Sequence, residues 1–282
     1  MTPSVRLANI VDNWLERRLG VPLSAAGTGA LTVVPRPESG LASGAAADAG
    51  ITVVRLNDRS LIVARLDWVE PLTHAVSDLH PDLLFTPFGS FELSRITLPD
   101  GVSVWGPNWY LMADSDSWPR LSDDRARAVT SVELAEVDFD LFWHCFGAGS
   151  LAAFGVFQEG NLVALSTVKD RGEPFMEIGV DVAPGAQSSG LGRAVVSAAG
   201  TWILEQGRLP LATVAPFNVP STRTLRRVGL EYAFTEMSGV AGPFRMPPQP
   251  IGRPLPDAEL YDYYPAWAMN RDIRPRSDLA NQ

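Results

Sequence analysis

The chain has 282 residues, 46% of them hydrophobic and 20% charged, and a net charge of −9. That balance excludes broad nucleic-acid binding, which needs a basic face. No apolar run reaches the roughly 20 residues that would cross a bilayer, so no membrane partner is expected.

One cysteine, Cys145, rules out an intrachain disulfide and makes the cytoplasm the expected compartment. Flanked by aromatics in "FWHCFG", it reads as a buried small hydrophobe. All but one of the 23 basic residues are arginine, the exception being Lys169, a bias that signals no recognition chemistry. The first residues, "MTPSVRLANIVDNWLERRLG", include Asp12 and Glu16 and lack the basic start and apolar core of a signal peptide. They read as an amphipathic helix.

"ALTVVPR" reads as a strand, and "SGLASGAAADAG" (39–50) as a loose connection or a weak small-residue helix. "ITVVRLNDRSLIVARL" is two β-rich runs around Asn57-Asp58, the chemistry of a hairpin. "WVEPLTHAVSDLH" predicts a short helix broken near Pro71. "FELSRITLPDGVSVWGPNWYLMAD" predicts a strand, a turn at Pro99-Asp100-Gly101 and a second strand. "DSDSWPRLSDDRAR" (114–127) has the charge and proline content of a linker. The expected domains are therefore 1–127, an α/β unit; 128–242; and a Pro-rich, aromatic tail, 243–282, that packs on the body.

In the second part "AVTSVELAEVD" predicts a strand, and "FDLFWHCFG" is short and aromatic. "AAFGVFQEGNLVALSTVKD" predicts two strands around Gly160-Asn161, and "PFMEIGVDVAP" a strand stopped by Pro184. A helix over 190–206 ends at Gly207. "LPLATVAP" is a strand, "NVPSTRTLRRVG" a helix with Asn218 as N-cap and Gly229 at its end, and "LEYAFTEMSG" a last strand.

The stretch "EIGVDVAPGAQSSGLGRAVVSAAG" (177–200) is strand, small-residue loop, then helix from about Ser189. Glycines let a ligand approach the backbone, and the first N–H groups of a helix lack internal partners and carry partial positive charge. Such a terminus holds phosphate, and Arg193 one turn in adds a charge-assisted contact. The plainer alternative is a tight corner between strand and helix. The spacing fits neither the triphosphate loop, which needs Gly-x4-Gly-Lys-Ser/Thr, nor the Gly-x-Gly-x-x-Gly dinucleotide fingerprint.

Gln187-Ser188-Ser189-Gly190-Leu191-Gly192 resembles the Gln/Arg-x-x-Gly-x-Gly/Ala signature of the GNAT superfamily of acyl-CoA-dependent N-acyltransferases. "NVPSTRTLRRVGL" is similar to the family's second signature, Asn-x-x-Ser/Ala leading to Gly-Phe/Leu. The resemblance covers roughly 130–240. It implies a mixed, mostly antiparallel twisted sheet flanked by helices, with an N-terminal α/β extension that is either a degenerate second copy or a substrate-binding domain. It also implies acetyl-CoA or another acyl-CoA as co-substrate. The loop 187–192 with Arg193 would hold the pyrophosphate, and the backbone of Val180, Asp181 and Val182 would pair with the pantetheine arm. Asn218 and Ser221 would lie near the thiol, Asn218 serving as N-cap as well.

The implied reaction is direct attack of an amine on the thioester, assisted by a carboxylate base. Along 175–182 side chains alternate, so Phe175, Glu177, Gly179 and Asp181 share one face and Met176, Ile178, Val180 and Val182 the other. Glu177 is the leading base and Asp181 the second; the alternative for both is a solvated strand edge. Leu225 stands where the family often has a tyrosine acid, and Tyr232 is the candidate replacement. His144 and His80 are further candidate bases, although a lone histidine near aromatics is more commonly packed. No Cys/His spacing suggests a metal. The aromatics of "VWGPNWYLMAD" suit a substrate wall or an interdomain core. The expected activity is N-acetyl transfer to a small-molecule or peptide amine, with a homodimer expected by analogy with the family. The alternatives are O-acyl transfer, acyl-CoA decarboxylation or hydrolysis, and a non-catalytic acyl-CoA-binding module.

Overall fold

Helix α1 (Val5–Leu19) buries Leu7, Val11, Trp14, Leu15 and Leu19, the spacing of one helical face. The stripe packs against Tyr110, Phe175 and Phe234, with the Trp14 ring edge-on to Phe175 at 5.2 Å. The computed structural model describes residues 5–37, 49–119, 123–187 and 189–243. Ser188, residues 38–48 of the small-residue stretch, and the expected packing of the tail beyond residue 243 lie outside the described residues.

The surface that α1 covers belongs to one ten-stranded sheet. Its strands are β1 (Leu31–Pro35), β2 (Ile51–Leu56), β3 (Arg59–Ala64), β4 (Val102–Met112), β5 (Arg127–Ala128), β6 (Ala152–Gln158), β7 (Asn161–Asp170), β8 (Phe175–Val182), β9 (Leu209–Val214) and β10 (Glu231–Ala241). Their order is β1-β3-β2-β10-β4-β9-β8-β7-β6-β5. Among the described residues β1/β3 and β8/β9 run parallel and every other neighbouring pair is antiparallel. The sheet is therefore mixed and mostly antiparallel, as expected. Strand β10 lies between β2 and β4, so the two parts of the chain interleave in one sheet.

Helix α1 and residues 131–146, including α5 (Ser131–Ala135), cover one face, here the α1 face. The opposite face carries α2 (Leu66–Val76), α3 (Pro81–Leu84), α4 (Pro87–Thr97), α6 (Leu191–Glu205) and α7 (Val219–Arg227).

Three local expectations are corrected. Residues 66–76 form one helix with Pro71 inside it: Trp68, Leu72 and Val76 are buried on one side, and that packing outweighs the backbone bond proline removes. "FELSRIT" is helix, not strand. Thr86 accepts the Gly89 N–H, Pro87 opens the first turn, and Ser90, Leu93, Ser94 and Thr97 are buried at helical spacing. Ser90 Oγ donates to the Val104 carbonyl at 2.5 Å, and the Val104 N–H donates to Ser94 Oγ at 2.8 Å, so helix and strand are joined by serines. "AVTSVELAEVD" holds only the two-residue β5. Thr130 and Glu133 then form a reciprocal capping box that starts α5, a Thr-x-x-Glu signal the apolar alternation masks.

The remaining turns follow their chemistry. Residues 57–58 and 159–160 are two-residue hairpin loops; Glu159 and Gly160 both have positive φ, 49° and 81°, which suits the twist of the flanking strands. Helix α6 begins at Leu191, two residues after the expected start, and closes before Gly207. Asn218 accepts the Ser221 N–H and caps α7.

The polar stretch 114–127 is anchored by Trp118, which is buried and donates its indole N–H to Thr201 at 3.2 Å. Its ring lies on Gly200: a Cβ there would come within 2.2 Å of the indole. Gly200→Ala is therefore expected to lose roughly 1–3 kcal/mol by overpacking, although alanine in an open helix gains about 1 kcal/mol over glycine. Urea unfolding of the two proteins checks this, and a stabilised variant contradicts the contact.

Candidate functional site

Strands β8 and β9 pair at Phe175 with Leu209, Met176 with Pro210 and Glu177 with Leu211, and then part. Strand β9 continues against β4, out to Val214 opposite Trp109, while β8 continues against β7, out to Val182 opposite Ala164. The edge of Val180, Asp181 and Val182 that faces β9 thus has no strand partner among the described residues. Such an edge accepts an extended ligand as an added strand.

The loop after β8 leads from this opening into α6. A 3.1 Å bond from the Ala186 N–H to the Ala183 carbonyl turns it, and Gly190 caps the helix at φ 80°, a left-handed conformation that favours glycine. The Ala194 N–H is bonded back to Gly190, which leaves the N–H groups of Leu191, Gly192 and Arg193 without intrahelical partners. No acidic residue stands in this first turn. Gln187, Ser189, Gly190 and Arg193 are exposed. Arg125 reaches the rim and donates to the Ser189 carbonyl at 3.1 Å. Asp123 pairs with this arginine at 2.7 Å. Its hydrogen bond from Arg125, assisted by the charge of Arg193, holds its carboxyl below the ordinary range. A Cβ on Gly192 would touch Thr224 and Val182 at 3.4 Å, so α6 lies close to both α7 and β8. The glycine loop and the open edge are thus adjoining, and Asn218 and Ser221 begin the next helix after β9.

On the α1 face, Glu177 sits at the last paired position before the strands part, only 3% exposed. Thr213 on β9 donates to Oε1 at 2.7 Å. Lys169 Nζ and Arg171 Nε each stand 3.2 Å from Oε2, yet neither is aligned as a hydrogen bond, so Oε2 keeps unused acceptor capacity. Glu177 is therefore neither solvated nor a bare edge residue. Arg171 also donates to Tyr110 Oη at 3.2 Å, Tyr110 donates to Glu236 at 3.0 Å, and Arg18 grips Glu236 at 2.5 and 2.6 Å. Burial raises the Tyr110 phenol pKa far above its ordinary value. Burial also pushes Glu236 upward, but Arg18 and the bonds from Ser238 and Tyr110 outweigh it and hold the carboxyl below its ordinary value.

Asp181 lies four positions further along the same face, and both its oxygens meet His144: the backbone N–H at 2.6 Å and Nδ1 at 2.6 Å. Between the two carboxylates Gly179 is bare by necessity, since a Cβ there would stand 2.4 Å from the His144 carbonyl. Sequence reading named Asp181 and His144 separately. Nothing local signals their pairing, because 37 positions separate them. The roles of Arg125, Lys169 and Arg171 were not foreseen either. His80 caps α3 with Nδ1 accepting the Asp82 N–H at 3.2 Å, on the face opposite Glu177.

Tyr232 lies elsewhere. A bulge between Tyr232 and Phe234 turns Phe234 to the α1 face and leaves Tyr232 with Thr235 on the other. Tyr232 Oη and Thr235 Oγ1 are 2.7 Å apart, and burial raises the phenol pKa. Both line a cavity of about 420 Å³ with Trp109, Arg55, Thr222 and Arg226. Strand β4 separates Tyr232 from β9, so the structure does not bring it beside Glu177. Leu225 is buried in the core under α7. Among the described residues no group of three His, Cys, Asp or Glu side chains is placed to hold a metal ion, and no helix is long and apolar enough to cross a membrane.

The split parallel pair thus carries a glycine loop and a helix N-terminus at its open end. Residues 118–230 match the acetyltransferase (GNAT) family and form a domain of that family. No curated protein matches the chain. Among solved structures, the GCN5-related N-acetyltransferase from Kribbella flavida is 19% identical over 54% of this chain and 64% of that one, with a TM-score of 0.43. An acetyltransferase from the GNAT family of Colwellia psychrerythraea is 13% identical over 51% and 59%, TM-score 0.40. A GCN5-related N-acetyltransferase-like protein from Streptococcus suis is 12% identical over 64% and 70%, TM-score 0.39.

The Arg18–Glu236 pair yields a stability prediction. Glu236→Gln removes the carboxylate that Arg18 grips in a mostly buried position and is expected to lose roughly 1–3 kcal/mol. Because the folded pKa of Glu236 is depressed, its contribution is present above the ordinary value of 4.5 and is lost as pH falls through the folded value. Denaturation from pH 7 to pH 3 should therefore show a shallower acid decline in the variant, and identical slopes would contradict the assignment.

Proposed function

We propose that the protein is an N-acetyltransferase that moves an acetyl group from acetyl-CoA to a primary amine of a small molecule or peptide. The observation that carries this reading is the parting of β8 and β9 beside the uncovered N-terminus of α6. In that reading the N–H groups of 191–193, with the loop from Gln187 and the charges of Arg193 and Arg125, hold the pyrophosphate. The pantetheine arm lies along Val180, Asp181 and Val182 as an added strand, with Asn218 and Ser221 flanking the thiol. Acetyl-CoA supplies the activated acyl group.

The acceptor reaches the thioester from the α1 face. The Glu177 carboxylate, buried beside the mouth of the split, favours approach of an acceptor ammonium by its charge. Lys169 and Arg171 keep that carboxylate compensated when no acceptor is bound. The core position of Leu225 supports a mechanism without an acid on α7, since a CoA thiolate is a stable leaving group.

Isothermal titration with acetyl-CoA tests the cradle. Micromolar binding is expected, and Gly190→Asp and Arg193→Glu should each weaken it at least tenfold. A protein that binds no acyl-CoA loses this reading. Thiol release across a panel of amines tests the chemistry. Glu177→Gln should lower kcat/KM for the acceptor by more than tenfold while the acetyl-CoA titration is unchanged. Tight binding without turnover on any amine would leave an acyl-CoA-binding module instead.

A further inference from the structure

His144 comes from the segment that packs across β7 and β8 on the α1 face, held there by the Phe146 N–H donating to Thr167 Oγ1 at 2.8 Å. Its Nδ1 meets Asp181 Oδ1 at 2.6 Å while Asp181 Oδ2 receives the His144 backbone N–H at 2.6 Å. A carboxylate engaged at both oxygens by one residue has little capacity left for a substrate. It fixes the imidazole instead: with Nδ1–H donating to Asp181, the neutral ring carries its lone pair on Nε2. No described residue bonds Nε2, and the ring is 39% exposed whereas Asp181 is 14% exposed. The charged group that meets the ring is Asp181 on β8; the neighbouring Cys145 thiol is buried, and Lys169 on β7 places its Nζ 3.9 Å from the Phe146 ring.

The position of the pair gives it a purpose. Asp181 is the middle residue of the open edge, it shares a face with Glu177, and bare Gly179 separates the two. An acceptor that approaches the open edge from this face therefore meets the imidazole.

We propose that His144 is the general base of the transfer and that Asp181 is its positioning residue; this rests on the amine-acetylation reading above. Nε2 takes one proton from the acceptor ammonium. The freed nitrogen lone pair forms the C–N bond to the thioester carbonyl carbon. The C–S bond breaks and its electron pair leaves on sulfur. The second nitrogen proton neutralises the thiolate, and the imidazolium returns its proton to solvent. Ammonium and acetyl-CoA thus give amide, CoA thiol and one released proton.

The chain has three histidines, which makes the test direct. Diethyl pyrocarbonate modification with peptide mass mapping should label His144 in the free protein. CoA, at a concentration shown to saturate by calorimetry, should protect it and leave the labelling of His74 and His80 unchanged. His144→Gln should lower kcat about 10²–10⁴-fold. Its CoA affinity and melting temperature should stay those of the wild type. Asp181→Asn should lower kcat far more than it raises KM. Bound CoA that leaves His144 as reactive as before, or a His144→Gln enzyme with wild-type kcat, overturns the base assignment alone. Wild-type protein that binds CoA, protects His144 and acetylates no amine refutes the amine reading and the base role with it.

Discussion

Two parallel strands that share three residue pairs and then separate leave backbone groups that a sheet would ordinarily satisfy. That exposed edge is the constraint on which the site is organised. Each strand is secured on its other side, β8 by β7 and β9 by β4, so neither collapses into the gap. The crossover from β8 to β9 is α6, and a crossover between neighbouring parallel strands must begin where the first strand ends. The helix N-terminus is therefore delivered to the open end of the split by topology. Glycine at 190 then turns the chain into the helix without blocking its uncovered N–H groups.

The second organising feature is ionic. Arg18, Glu236, Tyr110, Arg171 and Glu177 form a chain of contacts from α1 through β10 and β4 to β8. Buried ion pairs are poor sources of stability, since desolvation offsets much of their attraction. Their value here is local. A carboxylate at the mouth of the split needs compensating charge, and Lys169 and Arg171 supply it without occupying Oε2 as hydrogen-bond donors. The first helix thus contributes to the site although it stands far from it in the chain.

The elements that were misread share a cause. "FELSRIT" alternates like a strand, yet Thr86-Pro87 before it is a helix start, and the serines that look polar are buried because they bond β4. In "VTSVELAEVD" the capping pair Thr130 and Glu133 outweighs β-branched residues that would otherwise extend a strand. In both, an end signal decided the conformation and the interior pattern did not.

By itself the sequence determined what short-range chemistry controls. Turn residues set the hairpins, Asn218 and Gly207 bound the helices, strict alternation placed Glu177 and Asp181 on one face of β8, and the glycines marked the turn from β8 into α6. Tertiary structure decided what depends on partners remote in the chain. It placed β10 between β2 and β4, and a single bulge sent Tyr232 to the face away from Glu177. It joined Arg18 to Glu236 across 218 positions and His144 to Asp181 across 37. Such pairings leave no local signature, because the energy that selects them comes from burial and charge compensation that exist only once the sheet has formed.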